Sequence, residues 1–159
     1  MTSPMPSPRL ARPSLRRSLI AGGAASTAYL LAQALDRRLT GNRYDDLILL
    51  GGAVSRHPRR QRVLGAGAHY AVGTILALLY DALRHSLPRL TGWRRGLLFI
   101  QVEHALTFPG TAFGTRFHPA VRRGELPWLW TWRYLWVETA RHAAYGLVLG
   151  MAGRGPGDE

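Results

Sequence analysis

The apolar stretch at residues 63–83, VLGAGAHYAVGTILALLYDAL, constrains the fold more than any other part of the chain. It carries no charge before Asp81 and no proline. At about 1.5 Å per residue it forms a helix roughly 30 Å long, which matches the hydrocarbon thickness of a bilayer. Its apolar side chains point all round the helix, as they do in the interior of large proteins or in lipid. A chain of 159 residues cannot surround such a helix with protein, so the sequence predicts an integral membrane protein.

Three further apolar runs complete the prediction. The first is at the short limit for a span, and the third contains Pro109, where we expect a kink or an early end near Phe108. The predicted fold is all-α, an integral membrane bundle of four transmembrane helices at residues 19–35, 63–83, 96–113 and 135–151.

The four spans belong to a single membrane-embedded domain at residues 19–152. Residues 1–18 are rich in arginine, proline and serine and are predicted to be a flexible tail, and residues 153–159 are predicted to be a polar tail. Residues 47–54 are apolar but too short to cross a bilayer. We expect them to form a short, half-buried or interfacial helix behind an acidic cap at residues 45–46.

The first run also has the features of a signal peptide. Arg16 and Arg17 precede it, and Ala32-Gln33-Ala34 lies near its end, loosely in the twin-arginine manner. Three apolar runs would stay in the membrane after cleavage, so an uncleaved first helix is the simpler prediction.

The chain has a formal net charge of +12, and all of its strongly basic residues are arginines. Such a charge suits either a soluble, basic nucleic-acid-binding helical domain or loops on anionic lipid head groups. Because the arginines cluster between the apolar runs, we predict the lipid bilayer and anionic head groups as partners, and no nucleic acid. The arginines divide almost equally between the two sides of the predicted bundle, so they do not orient it. Self-association stays open.

Residues 127–136 hold most of the tryptophans of the chain. Amphipathic rings favour the head-group level of a bilayer, so we predict an interfacial aromatic segment, with a soluble aromatic core as the alternative. The predicted interface anchors are Trp128, Trp130, Trp132 and Trp136.

The ionisable residues inside the predicted spans carry the chemical information. A charge at membrane depth costs about 2.5–3.5 kcal/mol on insertion scales and normally faces a partner. On the last span the ionisable residues share one helix face, and on the third span two of them are adjacent, so that only one is expected to face a given partner. The predicted buried polar network, or ligand or proton site, comprises His69, Glu103, His104, Glu138, Arg141 and His142.

Small residues accompany these side chains. The pattern His-xxx-Gly occurs at His69 and again at His142, which suggests a duplicated two-helix hairpin. Small residues let helices approach closely in a membrane. The predicted helix-packing positions are Gly22, Gly23, Gly73, Gly146 and Gly150.

Three functions fit the network. It can be a purely structural set of hydrogen bonds, a relay that moves protons or ions, or a metal or b-type haem site built from the three histidines and a glutamate. No HxxxH or HExxH pair is present, so we predict no metal and no cofactor, and the metal or haem protein is the alternative. No phosphate-binding loop or GxSxG motif is present either, so no catalytic residue is predicted.

The order of these features resembles the YagU-like family of small bacterial inner-membrane proteins, over roughly residues 60–150. The resemblance implies a multi-pass helical protein of the bacterial inner membrane, with no known biochemical activity and a connection to acid tolerance. We therefore expect a non-enzymatic membrane protein whose His/Glu network responds to pH or moves protons. The residues that carry the resemblance are His69, Tyr80, His104, Pro109, Gly110 and His142.

Overall fold

The structure, a computed structural model, describes residues 14–84, 90 and 92–153. These residues are predominantly helical and contain no strand. Most of the two predicted tails lies outside the described residues. The elements are α1 (Leu15–Thr40), α2 (Asp46–Gly52), α3 (Pro58–Leu83), α4 (Trp93–Gly114), a 3₁₀ turn (Thr115–Phe117), α5 (Pro119–Arg122) and α6 (Trp132–Ala152).

Each of the four predicted spans lies inside one long helix, but every helix is longer than its prediction. The predicted bounds followed the apolar runs alone. Arginine is a good helix former, so a helix can continue beyond the end of its apolar run into the arginine-containing residues that flank it. As a result α1 begins at Leu15, inside the stretch predicted to be a flexible tail, and α6 begins at Trp132, inside the aromatic segment.

Of the two outcomes expected at Pro109, a kink or an early end near Phe108, the early end is wrong. The helix α4 continues through Pro109 to Gly114. Proline removes one backbone donor, but its fixed φ is itself helical, so a long helix can retain it at the loss of one hydrogen bond.

The short helix α2 follows the predicted acidic cap. The Asp45 side chain accepts a hydrogen bond from the Leu47 amide at 3.0 Å, which satisfies one of the free donors at the helix start. The helix then packs along α3.

The four long helices alternate in direction. At one end of the bundle, here called the first end, the Ser14 amide at the start of α1 donates to Asp81 near the end of α3 at 2.7 Å. The start of α4 and the end of α6 meet at the same end, where Gly150 lies against Gly92 and Trp93. The opposite, second end holds α2, α5 and the connections around them.

The helices pack in the order α4, α6, α1, α3, with α2 on α3. The seam between α3 and α4 is not closed by extensive packing, although the rings of Tyr80 and Phe99 meet across it at 5.4 Å. The open seam positions the candidate site.

Glycines set the closed seams. A Cβ on Gly22 or Gly73 would overlap the facing part of α1 or α3, and one on Gly146 or Gly150 would overlap α4. Gly23 is different, because a Cβ there would meet nothing within 4 Å, so no close contact within this bundle depends on it and its packing role stays a prediction. Gly22 makes the contact with α3, and Gly23, the next residue along α1, faces away from α3.

The sequence analysis missed a second group of packing glycines. A Cβ at these positions would overlap the backbone of α2, α3 or α6. They are Gly51, Gly65 and Gly96.

Two of the described helices, α1 and α3, are long and apolar enough to cross a membrane. Only 39% and 28% of their apolar stretches are buried, whereas the core helix of a soluble protein is mostly buried. The charged residues of α4 and α6 lower their hydropathy, and these two helices do not meet the same criterion.

Candidate functional site

A cavity of about 330 Å³ occupies the seam between α3 and α4 and reaches inward to α1, α2 and α6. Five of the six residues predicted for the network line it, and Arg141 does not. The polar wall of this cavity consists of Tyr29, Tyr44, Asp46, His69, Glu103, His104, Glu138, His142 and Tyr145.

Arg141 lies behind the polar wall, between α6 and α1, with 1% of its side chain exposed. One terminal nitrogen donates to Asp36 at 2.7 Å, and the other donates to Glu138 and Gln33, each at 3.2 Å. The guanidinium also stacks on the Tyr44 ring, 4.9 Å from its centroid. This group of residues, the Arg141 cluster, provides partners from two helices for both terminal nitrogens of a buried cation, while its Nε has no hydrogen bond.

Tyr29 joins the cluster to the cavity. Its hydroxyl donates to Glu138 at 2.7 Å. Its ring lies between two histidines, with centroids 5.0 Å from His69 and 5.4 Å from His142. The phenol ring therefore separates His69 from His142, two of the three histidines predicted as a common set of ligands.

His69 is held by an aspartate that the sequence analysis assigned only to a helix cap. Its Nδ1 is 2.6 Å from Asp46, and its Nε2 is 3.3 Å from the carbonyl oxygen of Ser26. Both ring nitrogens thus lie near oxygen atoms of other elements, one on α2 and one on α1.

His104 and His142 are stacked, with centroids 4.3 Å apart and an interplanar angle of 26°. The Nδ1 of His142 lies 2.8 Å from the carbonyl oxygen of Glu138. The Glu103 carboxylate lies 4.0 Å from His142 Nε2. Both adjacent residues of α4 therefore approach His142, and the prediction that only one of them could face a given partner is wrong, because a ring is large enough to meet two neighbouring positions.

Two buried atoms of the polar wall have no hydrogen bond, and neither does the buried Ser26 hydroxyl, which also lines the cavity. The two atoms of the polar wall are Oε2 of Glu103 and Nε2 of His104, whose side chain is buried with 4% of the residue exposed. Buried polar atoms are almost always hydrogen-bonded, so an unbonded pair in one cavity marks a place where something else can bind.

The arrangement does not favour a metal or a haem. Within residues 14–84 and 92–153 no group of three or more histidine, aspartate or glutamate side chains is placed to hold a metal ion. The stacked rings of His104 and His142 touch each other, so they cannot ligate one haem iron from opposite sides.

Charged groups close the second end of the bundle over the cavity. Arg123 donates to Glu125 at 2.6 Å and to the Gly52 carbonyl at 3.2 Å, and Gln61 donates to Glu125 at 2.9 Å. The hydrogen bond from Arg123 lowers the pKa of Glu125. Burial, followed by the charge of Glu138, raises the pKa of the Tyr44 phenol well above its ordinary value, so Tyr44 stays a neutral donor.

His118 caps α5 at the same end. Its Nδ1 accepts a hydrogen bond from the Ala120 amide at 3.2 Å. Burial lowers the pKa of His118, which favours the neutral ring that the cap requires.

The tryptophans lie on the surface at both ends of the α4–α6 hairpin. Trp93 is exposed at the first end. The predicted anchors are all exposed near the second end, before and within the first turns of α6: Trp128, Trp130, Trp132 and Trp136.

Sequence reasoning missed the α1 side of the site. Tyr29, Gln33 and Asp36 occupy positions i, i+4 and i+7, which is one helix face, and this spacing could have identified them. Unlike the other three long helices, α1 contains no histidine, so its polar face carried no signal of that kind.

No family model, curated protein or solved structure matches this chain. The resemblance to the YagU-like family therefore stays an expectation, and the function is argued from the site. The fold and site together define a helical bundle with two apolar helices and buried charged residues around an internal cavity.

Proposed function

We propose that this chain is a four-span integral membrane protein whose cavity binds and releases protons at Glu103. The distribution of side chains carries the membrane part of the proposal. The bundle buries charged and amide groups such as Arg141 and Gln33 while it exposes many large apolar side chains. A water-soluble protein of this size has the opposite arrangement, so lipid is the solvent that fits this surface.

The burial of ionisable residues on α4 and α6 supports four spans where hydropathy alone supports two. The ionisable residues that lower the hydropathy of α6, Glu138 and Arg141, are buried against α1 and do not meet lipid. On α4 the outward positions are apolar, and Leu106 is 77% exposed. The charges therefore lie inside the bundle, where a membrane protein tolerates them.

The ends of the helices have the composition of a bilayer interface. Arg95 and Arg116 flank α4, and about twenty helical residues between them span roughly 30 Å, the thickness of a hydrocarbon core. Exposed arginines and tryptophans at both ends suit anionic head groups and the interfacial level. A multi-pass location in the bacterial inner membrane follows from the YagU-like resemblance and is part of the proposal.

The proton site is argued from charge balance in the polar wall. Asp46 faces His69, and Glu138 is bonded by Arg141 and Tyr29. The Glu103 carboxyl has a hydrogen bond from the neutral Thr107 hydroxyl, and its contact with a basic group, His142 Nε2, is 4.0 Å long, beyond hydrogen-bond distance. The other titratable groups around the cavity are His69 on α3, Asp46 on α2, Tyr29 on α1, Tyr44 before α2, His104 on α4 and Tyr145 on α6. A carboxyl at membrane depth without a cation is neutralised by taking up a proton.

Single-cysteine labelling tests the number of spans, and the native chain contains no cysteine to interfere. In sealed vesicles, Thr40→Cys and Phe117→Cys should react with an impermeant maleimide from one side, and Arg94→Cys and Met151→Cys from the other. If only α1 and α3 cross, Phe117→Cys labels from the same side as Met151→Cys. Release of the protein from membranes by alkaline carbonate would reject the membrane proposal altogether.

Infrared spectroscopy tests the proton site. The wild-type protein in lipid should show a protonated-carboxyl band that disappears as the pH rises, and Glu103→Gln should lack it. Glu125→Gln is the matched control, because Glu125 is bonded to Arg123 outside the cavity. A band that persists in Glu103→Gln would reject Glu103 as the proton site.

A further inference from the structure

The cavity has the opposite charge character to the rest of the chain. The protein has a formal charge of +12, and yet none of the described residues that line the cavity is an arginine. Three carboxyl groups line it instead, those of Asp46, Glu103 and Glu138. Arg141 does not line the cavity, but it contacts the polar wall from behind, where it donates to Glu138 and stacks on the Tyr44 ring.

The two unbonded atoms of the polar wall indicate which kind of ligand the cavity can bind. A carboxylate oxygen accepts hydrogen bonds only, and Oε2 of Glu103 has none to accept. Nε2 of His104, on the adjacent residue, is also without a bond in a side chain that is almost completely buried. A ligand with several N–H donors offers a partner to both atoms, and a positive charge on it compensates Glu103.

The aromatic groups of the wall favour the same kind of ligand. Tyr29, Tyr44 and Tyr145 line the cavity together with Phe108. Aromatic faces attract cations, and the attraction grows when the cation is removed from water.

The entrance is apolar and faces sideways. Val72 and Leu76 on α3 and Phe108 on α4 lie along the seam, and Val72 is 49% exposed. At about 330 Å³ the cavity is at the small end of ligand cavities, large enough for a head group and the first part of a chain. The rest of an alkyl chain can remain outside the seam, where the proposed membrane supplies hydrocarbon.

We propose that the seam between α3 and α4 binds a lipophilic amine, with its ammonium group at Glu103 inside the cavity and its alkyl chain in the membrane. This inference rests on the proposed function, because Glu103 then holds either a proton or the amine. Binding of the ammonium form displaces the proton, and acidification displaces the amine. A fatty acid is excluded by repulsion from Glu103, and an alcohol lacks the charge.

Electron paramagnetic resonance with nitroxide-labelled dodecylamine in phosphatidylcholine vesicles tests the inference. A bound chain gives a motionally restricted component that lipid alone does not. The relative affinity for the amine should be about tenfold or more above that for equally labelled dodecanol or dodecanoate. Lowering the pH should reduce the restricted amine signal. Equal signals from the three probes would overturn the inference.

Variants locate the binding site. Glu103→Gln should abolish the preference for the amine, and Glu125→Gln should retain it. Val72→Trp leaves Glu103 in place but fills the entrance, so it should also lose the motionally restricted amine signal. This variant tests the binding site even if Glu103→Gln does not fold. Retained amine preference in Val72→Trp and Glu103→Gln would overturn the inference.

The two proposals fail separately. If the infrared band depends on Glu103 but no probe is preferred, the proton site stands and the amine site is rejected. If the band is independent of Glu103 and amine preference is absent, both are rejected.

Discussion

Two sides of the bundle bury ionisable groups in opposite ways. On the closed side, between α1 and α6, Arg141 donates through both terminal nitrogens to Asp36, Gln33 and Glu138. On the open side, in the seam between α3 and α4, Glu103 and His104 each keep an atom without a hydrogen bond.

This difference distinguishes buried residues that stabilise the fold from buried residues that can bind a ligand, within one polar network. A buried charge with partners on two helices fixes how those helices pack, and losing one partner is costly. A buried atom without a partner adds nothing to stability on either side, and Nε of Arg141 is one on the closed side. On the open side such atoms belong to residues that line a cavity, where a ligand can supply the missing bond. The comparison therefore predicts that stability depends on the closed side and binding on the open side.

The largest effect is expected for Arg141→Met. The substitution removes the cation that is paired with the buried Glu138 and the half-buried Asp36, which should lower the free energy of unfolding by about 3–5 kcal/mol. Unfolding in mixed micelles of increasing dodecyl sulfate fraction measures the change. Arg133→Met, at an exposed position on the same helix, is the control and should change little. A loss below about 1 kcal/mol in Arg141→Met would contradict the structural role of the cluster.

Gly146→Ala tests the packing of the closed side. The new methyl group would overlap Ile100 and the Gly96 carbonyl on α4 and should cost about 1–3 kcal/mol in the same assay. Gly23→Ala is the matched control, because its methyl group meets nothing and alanine favours helix. The control should be neutral or slightly stabilising. Equal losses in both variants would mean that the seam is not set by close approach.

The long helices were predictable because apolar runs of this length leave few alternatives. The order of runs predicted the four long helices, and the acidic pair before residues 47–54 predicted the start of α2. The ionisable residues were identified by the energetic cost of placing a charge in an apolar run, a criterion that needs no knowledge of how the helices pack. It selected five residues that line one cavity.

The pairing of these residues could not be predicted, because it depends on how each helix is rotated against its neighbour. Gly22 and Gly23 are equally small, yet only Gly22 faces α3. Asp46 begins a short helix, and only the packing of α2 on α3 brings it to His69. The ring of Tyr29 between two histidines likewise follows from the packing of α1, which periodicity within one helix does not determine.

Tyr29→Phe lies on the boundary between the two sides and should have a smaller effect. It removes the hydroxyl that donates to Glu138 and keeps the ring between His69 and His142. We expect a loss of about 1 kcal/mol, since Glu138 keeps its bond to Arg141. The mixed-micelle assay measures it, and Tyr70→Phe, whose hydroxyl bonds to Thr27 on the exposed surface, is the control.

The smallest stability effect is expected at Glu103, and this prediction separates the two sides most sharply. Glu103→Gln keeps the shape of the side chain, removes an acid that has no cation within hydrogen-bond distance, and should change the free energy of unfolding by no more than about 0.5 kcal/mol. Glu138→Gln is isosteric too, but it breaks the ion pair with Arg141 and should lose about 2 kcal/mol or more. If Glu103→Gln destabilises the protein as much as Glu138→Gln, the open side is structural as well, and its unbonded atoms do not mark a binding site.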